Sequence, residues 1–528
     1  MSIKINRRKL IGYIGATAAL GLMAKRDLLD AYAKRTFSGK VLGANFKRGH
    51  RLLKMDFPAP TEAHKVNVAI VGTGISGLSC AYHLKKAGIK GVELFDLEDH
   101  LGGKSASLNK EAPWGAHYLP LPNLENRSLI NFLKDIKVIT QEDHSGLNFN
   151  ELFVCSDPME RLYIYGRLQE GLVPQEGLHQ NEKAEFNKFF HLMEQYKVAK
   201  GNDQRFAFDI PMAKSSSDPA FIKYDKITME DYLLQNDLVT KPLHWYVNYC
   251  CRDDYGTTIK EISAWAGIHY FCSRRGKGNN LKDESVLTWP EGNNYLANKL
   301  HEESKTPLNT DHMLYEIREN SLLFFCHKRN ISIEVVANHI VLALPQFIIG
   351  RILKTPSTFE YSPWMVANIK IKWDERLADA LAWDNVNYHG RGLGFVVAGH
   401  QSLRRSMEEN ILTYYWPLTH LPPKKARNWA LGRSHESWSK DILKDLTPMI
   451  FDIEDRIKSI DIWPWGHGMV RPTKGFLFGD RNNLVPKPHS NIHYAHTDLS
   501  GLSLFEEGFY QGETTSKNIL KKMNGDNR

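Results

Sequence analysis

After about residue 60 the chain alternates between two periodicities. Val66-Asn67-Val68-Ala69-Ile70-Val71 is a near-continuous apolar, β-branched run, the pattern of a strand buried in a parallel sheet. Three glycines interrupt it between Gly72 and Gly77; a helical pattern then runs from Leu78 to Ala87 and stops at Gly88. Gly91-Val92-Glu93-Leu94-Phe95-Asp96 predicts a second strand, ending in an acid 24 positions beyond Gly72. Strand, glycine turn, helix, strand and acid in this order form a βαβ dinucleotide-binding unit. Gly72 permits the tight turn, Gly74 lets backbone approach a pyrophosphate, and Gly77 lets the helix pack closely on the strand. Ser76 stands in the same turn, the helix N-terminus faces the phosphates, and Asp96 can accept hydrogen bonds from a ribose.

The pattern repeats in outline further on. Trp289 to Asn294 reads as a glycine turn, with Leu296 and Leu300 beginning a helix, and Ile340 to Pro345 as a buried strand closed by proline. Val366 to Trp373 alternates, so Asn368, Lys370 and Lys372 share one face and Ala367, Ile369, Ile371 and Trp373 the other. Ile492 to Asp498 predicts a strand ending in polar residues, and Phe505-Glu506-Glu507-Gly508 a helix start. Thr228 with Asp231 three residues later forms a helix-capping pair.

The stretch Asp96-Leu97-Glu98-Asp99-His100-Leu101-Gly102-Gly103-Lys104 resembles the text that follows the second strand in the flavin-containing amine oxidase superfamily. Lys104 stands where that superfamily has arginine; it keeps the charge and loses the two-pronged fork. The resemblance continues in order through Trp114 to Tyr118, Trp289 to Asn294, Ile340 to Pro345 and Ile492 to Phe505. It implies an α/β fold, a Rossmann-like FAD-binding domain with a discontinuous α+β substrate domain. FAD would be held by Gly72, Gly74, Ser76, Gly77, Asp96, Gly102, Gly103, Lys104, Asp498 and Gly501. Trp114 to Tyr118 would be a strand passing the isoalloxazine, which puts Gly115 beside the ring and makes His117 a catalytic candidate. The helix opening at Phe505 would point its positive end at the flavin. On this division the FAD-binding domain comprises residues 65–120, 281–350 and 481–528, and the substrate domain 121–280 and 351–480.

The resemblance further implies transfer of a hydride equivalent from a small organic molecule, an amine or polyamine, to flavin N5, with oxygen or a quinone as electron acceptor. Many relatives carry a flavin-facing lysine on the strand matched by Val366 to Trp373, and counting back from Trp373 puts Asn368 there; a two-residue slip would bring Lys370. Asn368 favours a desaturase or protoporphyrinogen-oxidase-like dehydrogenase as the alternative, and a non-catalytic flavin-bearing electron-transfer partner is a third reading. Trp463-Pro464-Trp465-Gly466-His467-Gly468-Met469-Val470-Arg471 offers His467 as a proton acceptor and Arg471 as partner for an anionic substrate. The tract Cys251 to Gly256 adds polar candidates, and the tryptophans at 364, 373, 383, 416, 463 and 465 suggest core before substrate wall.

Charge changes the picture at one end. The formal net charge of +8 resides in residues 1–54, where 13 Lys/Arg face 2 Asp/Glu, leaving 55 against 58 in the remainder. The body therefore lacks the basic surplus of a nucleic-acid binder. Asn6-Arg7-Arg8-Lys9, the Gly/Ala-rich stretch to Ala24 and Ala31-Tyr32-Ala33 resemble a twin-arginine export signal over residues 1–33, followed by a basic linker over 34–64. A twin-arginine translocase as partner, export in the folded state and the bacterial periplasm follow as expectations. No apolar run in the body reaches the ~18 residues of a spanning helix. Six cysteines without metal-type spacing read as buried thiols, and no metal site is expected.

Overall fold

The computed structural model describes residues 36–144, 146–282, 284–355, 357–402, 407–484 and 491–525, so the proposed export signal lies outside the described residues. Strand β1 (Pro60–Val71) runs through the middle of a seven-stranded sheet, pairing in parallel with β2 (Val92–Phe95) on one side and β3 (Ile331–Leu342) on the other. Helix α1 (Ile75–Lys86) makes the crossover from β1 to β2. Val68, Ala69 and Ile70 are wholly buried, which is why that strand is apolar without alternation. Leu308–Asn309 extends the sheet beyond β2, His312–Arg318 and Ser321–Cys326 extend it beyond β3, and Ile492–Tyr494 pairs with the last residues of β3. One sheet thus draws on chain segments more than 400 residues apart.

The second sheet centres on β4 (Tyr361–Lys372), antiparallel to both β5 (Glu409–Pro417) and β6 (Ile457–Val470). Its period of two sorts the side chains. Met365, Ala367, Ile369 and Ile371 enter an apolar core with Trp438 and Ile442, while Trp364 and Val366 turn to the other face. A helical layer includes α2 (Lys241–Tyr255), whose Val247 shares one apolar core with Phe189 and Trp265. In that layer the Thr228 hydroxyl accepts from the Asp231 N–H at 3.0 Å and the Asp231 carboxylate accepts from the Thr228 N–H at 3.1 Å. Helix α3 (Phe505–Met523) lies along α1 because Gly512 has no side chain; a Cβ there would stand 2.4 Å from the Ser76 carbonyl oxygen. No helix among the described residues is long and apolar enough to cross a membrane.

Two expectations are corrected. Residues 114–117 form no strand; pairing begins at Tyr118–Pro120, which meets Val286–Thr288, and the preceding segment is irregular. The stretch expected as a linker is, from residue 36 on, a strap across both sheets. The Leu42 N–H donates to the Ile462 carbonyl at 2.7 Å on the second sheet. Asn45 donates to Glu98, and Arg48 pairs with Asp311 at 2.6 Å, on the first. Phe57 then stacks on Tyr315 with ring centroids 4.3 Å apart. The strap has no periodicity because single, part-exposed anchors hold it. All six cysteines are free and buried.

Candidate active site

A cavity of about 570 Å³ runs from the C-terminal end of β1 toward β4 and β5. Its floor is backbone. A Cβ on Gly72 would stand 2.4 Å from the Ala343 carbonyl oxygen, and one on Gly77 2.0 Å from that of Gly72, so neither position admits a side chain. Gly74 has no heavy atom within 4 Å of where its Cβ would be, leaving open space at the first turn of α1. The Gly102–Gly103 turn closes over it, with the Gly102 N–H donating to the Thr73 carbonyl at 2.9 Å. Gly115 passes under Lys104, where a Cβ would stand 1.9 Å from the lysine carbonyl oxygen. Ser76, Asp96, Gly115 and Phe505 all line the cavity, and the first turns of α1 and α3 open into it side by side. Two helix N-termini at one place favour negative charge there.

Charged groups complete this end. Asp96 accepts from the Thr73 N–H and hydroxyl at 2.7 and 2.6 Å and from the Glu98 N–H at 2.9 Å; burial raises its pKa while these donors oppose the rise. Glu98, Asp99 and His100 bring metal-ligand atom types together, and Asn45 occupies the carboxylate of Glu98. Lys104 lines the cavity; among the described residues no carboxylate lies within salt-bridge distance of its ammonium, and burial lowers its pKa against the pull of Asp498. Asp498 is wholly buried, its carboxylate accepting from the Gln346 N–H at 2.8 Å and from the Tyr361 hydroxyl. Burial works against its charge, yet His496, Lys104 and Tyr361 hold it down to about 2. Gly501, with φ of +82°, turns the chain from Asp498 toward α3.

The far end is aromatic and acidic. His117 lies tilted against Tyr415 and Trp383, at ring-centroid distances of 4.8 and 5.3 Å, and burial lowers its pKa to about 3, so it is neutral. Trp364, Val366 and Tyr415 form the wall from the second sheet. The last turn of α2 brings in two acids. Asp254 pairs with Arg274 at 2.6 Å, whereas no cation among the described residues lies within ion-pair distance of Asp253. Burial, and then Asp254, push Asp253 up to about 7. Asp384 and Glu160 stand behind, each shifted upward by burial first.

Four sequence candidates do not act as expected. Asn368 does not line the cavity: its amide donates to the Pro113 carbonyl at 3.1 Å and its oxygen accepts from the Thr413 hydroxyl at 2.8 Å, so it pins β4 to the segment before Gly115. Lys370 is at the surface, paired with Glu409 at 2.7 Å, which removes the two-residue slip. His467 does line the cavity, stacked on Phe347 at 3.9 Å and hydrogen-bonded with Arg427. Burial, with Arg427, Lys104 and Arg351 nearby, lowers its pKa to about 3, so it is a weak base at neutral pH. Arg471 is taken by Glu261 at 2.7 Å and Glu360 at 3.1 Å, away from the cavity. Trp364 and Trp465 are wall residues, while Trp383 and Trp463 sit in the adjoining core.

No motif marks Tyr415, Val366 or the strap residues Ala44, Asn45, Phe46, Gly49, His50 and Leu52, which also line the cavity. Asp253 was visible only as one acid in a polar tract. From its bonding, Asn368→Ala should lower stability by about 1–3 kcal/mol, the cost of stranding buried partners. Denaturant unfolding checks this, with any reductive half-reaction of the folded variant expected to proceed at the wild-type rate.

Residues 70–136 match the family described as NAD(P)-binding Rossmann-like domain. Tryptophan 2-monooxygenase from Pantoea agglomerans pv. gypsophilae is 41% identical over 61 residues, 12% of this chain and only 10% of that protein. Among solved structures, a putrescine oxidase triple mutant redesigned in cofactor binding aligns over 87% of this chain and 100% of its own, with TM-score 0.63 and 14% identity. Cyclohexylamine oxidase from Brevibacterium oxydans IH-35A aligns over 87% and 99%, with TM-score 0.62 and 14% identity. A fatty acid isomerase from P. acnes aligns over 86% and 98%, with TM-score 0.58 and 13% identity. This chain therefore has an α/β fold shared with these proteins, with a Rossmann-like dinucleotide-binding unit at its centre.

Proposed function

We propose that the protein is an FAD-dependent oxidoreductase that oxidises a small cationic amine at the carbon bearing nitrogen. The observation that carries this reading is the continuity of one cavity from the glycine cradle to Asp253, an acid with no cation among the described residues within ion-pair distance. The residues at the first end fit FAD. Gly74 leaves open space at a helix N-terminus, Lys104 offers a pyrophosphate an ammonium with no carboxylate among the described residues within salt-bridge distance, and Asp96 would be the acceptor for a ribose. Putrescine oxidase and cyclohexylamine oxidase share the fold, which supports an amine as substrate.

When bound, FAD supplies a two-electron acceptor that takes a hydride equivalent from the substrate carbon. The chain's own residues do the rest. His117, Tyr415, Trp364 and Val366 exclude water and flatten the space, so the substrate is held in few orientations. Asp253 attracts the ammonium and, poised near neutrality, takes its proton onto a carboxylate oxygen, which frees the nitrogen lone pair for oxidation. The electron acceptor in this reading is oxygen or a quinone. A second reading, the desaturase or protoporphyrinogen-oxidase-like dehydrogenase, is favoured by one observation: β4 presents Val366 to the cavity and no lysine.

Anaerobic mixing with putrescine or cyclohexylamine should bleach the flavin. Because Asp253 ionises as pH rises through about 7, amine affinity should strengthen across that range. Asp253→Asn should flatten the profile and weaken affinity by roughly 10–100-fold, the worth of a charge-assisted hydrogen bond. Bleaching by a neutral hydroaromatic compound and by no amine would decide for the second reading.

The localisation proposed is the bacterial periplasm, reached in the folded state through a twin-arginine translocase. Arg7-Arg8 supports it, as does a strap that folds over the cofactor cavity directly after the leader. Replacing Arg7 and Arg8 together by lysine should leave the protein in the cytoplasm, since the charge is kept and only the guanidinium pair is lost. Unchanged periplasmic recovery on cell fractionation would reject export by this route.

A further inference from the structure

The last turns of α2 border two cavities. Asp253 and Asp254 line the one described above, while Asn248 and Arg252, one turn apart, line another of about 480 Å³. Thr258, Gly390, Arg391, Trp416, Thr419 and His420 complete this second cavity, and among the described residues no acidic side chain lines it.

Arg252 is the group that needs an explanation. It is half-buried, and no carboxylate among the described residues lies within 4.0 Å of its guanidinium. Nη2 donates to the Arg391 carbonyl at 2.5 Å, and Nε is buried with no acceptor. Charges withdrawn from water are normally paired, so a guanidinium left with one carbonyl beside an open cavity lacks its counter-ion.

Of the nearby acids, Asp253 lines the first cavity and lies beyond ion-pair distance of Arg252, and the other two are engaged elsewhere. Asp445 accepts from the Arg391 and Gly392 N–H groups, each at 2.8 Å, and from the Tyr414 hydroxyl at 2.7 Å. Asp441 pairs with Arg433 at 2.7 Å and Lys444 at 2.9 Å, and meets Arg391 only at 3.8 Å. The resulting positive field is felt by His420, whose pKa is lowered by burial and then by Arg391, Arg252 and Arg433. The remaining wall is flat: His420 stacks on the buried Trp416 with ring centroids 5.6 Å apart. The carboxamide oxygen of Asn248 accepts from the Ile259 N–H at 3.1 Å, which leaves its amino group as the arm available to a ligand.

We propose that this cavity is a binding site, separate from the redox centre, for a small organic anion. A carboxylate or phosphate is held by Arg252, Arg391 and the Asn248 amide, and the flat apolar part of the ligand lies against Trp416 and His420. Arginine's fork suits either anion, and the site's ring wall excludes a bare inorganic ion as its best ligand.

Isothermal titration of the full chain as purified, with benzoate, phenyl phosphate and the neutral isostere benzamide, tests this. One or both anions should bind, benzamide should not, and the flavin absorption band should stay unchanged because the redox cavity is untouched. The tighter of the two anions identifies the source as carboxylate or phosphate. Arg252→Met, which keeps the stem and removes the charge, should weaken binding by about 10–100-fold. Arg391→Gln, at a side chain 61% exposed and therefore safe for folding, should weaken it by a smaller factor. The proposal is overturned if neither anion binds below about 10 mM, or if affinity is the same in both variants as in the wild type. Anion binding that shifts the flavin band equally in all three proteins overturns it too, since the ligand is then in the redox cavity.

Discussion

At the C-terminal end of β1, the backbones of Gly72, Gly77 and Ala343 approach so closely that no side chain fits between them. That contact sets the height of α1 above the sheet and fixes the open space beside Gly74, on which every other feature of the site depends. The Gly102–Gly103 turn reaches the cradle only because it bonds to the Thr73 carbonyl, and α3 reaches it only because Gly512 lies on α1. Any Cβ at Gly72 or Gly77 would separate strand, helix and turn before it touched a ligand.

Around this frame, charge is distributed by position along one cavity. Near the cradle, two helix N-termini and Lys104 favour an anion, and Asp498 stays ionised because His496 and Lys104 outweigh its burial. At the other end no cation among the described residues lies within ion-pair distance of Asp253, and burial raises its pKa toward neutrality against the pull of Arg274 and Arg252. The histidines between, His117 and His467, are kept neutral by burial, so they contribute flat surface and hydrogen bonding more than charge. The strap from residue 36 joins the two sheets that form these ends, which is the structural reason it is not a linker.

The cradle was legible in the sequence because its parts are consecutive: Gly72 to Gly77 and Asp96 lie within one βαβ unit whose periodicity announces each element. Asp498 and Phe505 were reachable only through resemblance, since β3 and the Ile492–Tyr494 strand meet across a long chain separation. The face assignment on β4 agrees with the packing, yet Asn368 does not line the cavity. Period two says which side a residue faces, not whether the carbonyl of Pro113 and the hydroxyl of Thr413 will occupy its amide. The acidic chamber was illegible because α2, the irregular segment around His117 and β5 come together only in three dimensions.

The central claim is that the glycine cradle and Lys104 together hold FAD without a covalent bond, with the wholly buried Asp498 behind the cavity wall acting on it through the charge of Lys104. Heat or acid denaturation of the purified protein, followed by chromatography of the supernatant, tests it most directly. The account predicts a yellow protein that releases FAD in an amount equimolar with the chain. A colourless protein that takes up NAD in preference to FAD would contradict it.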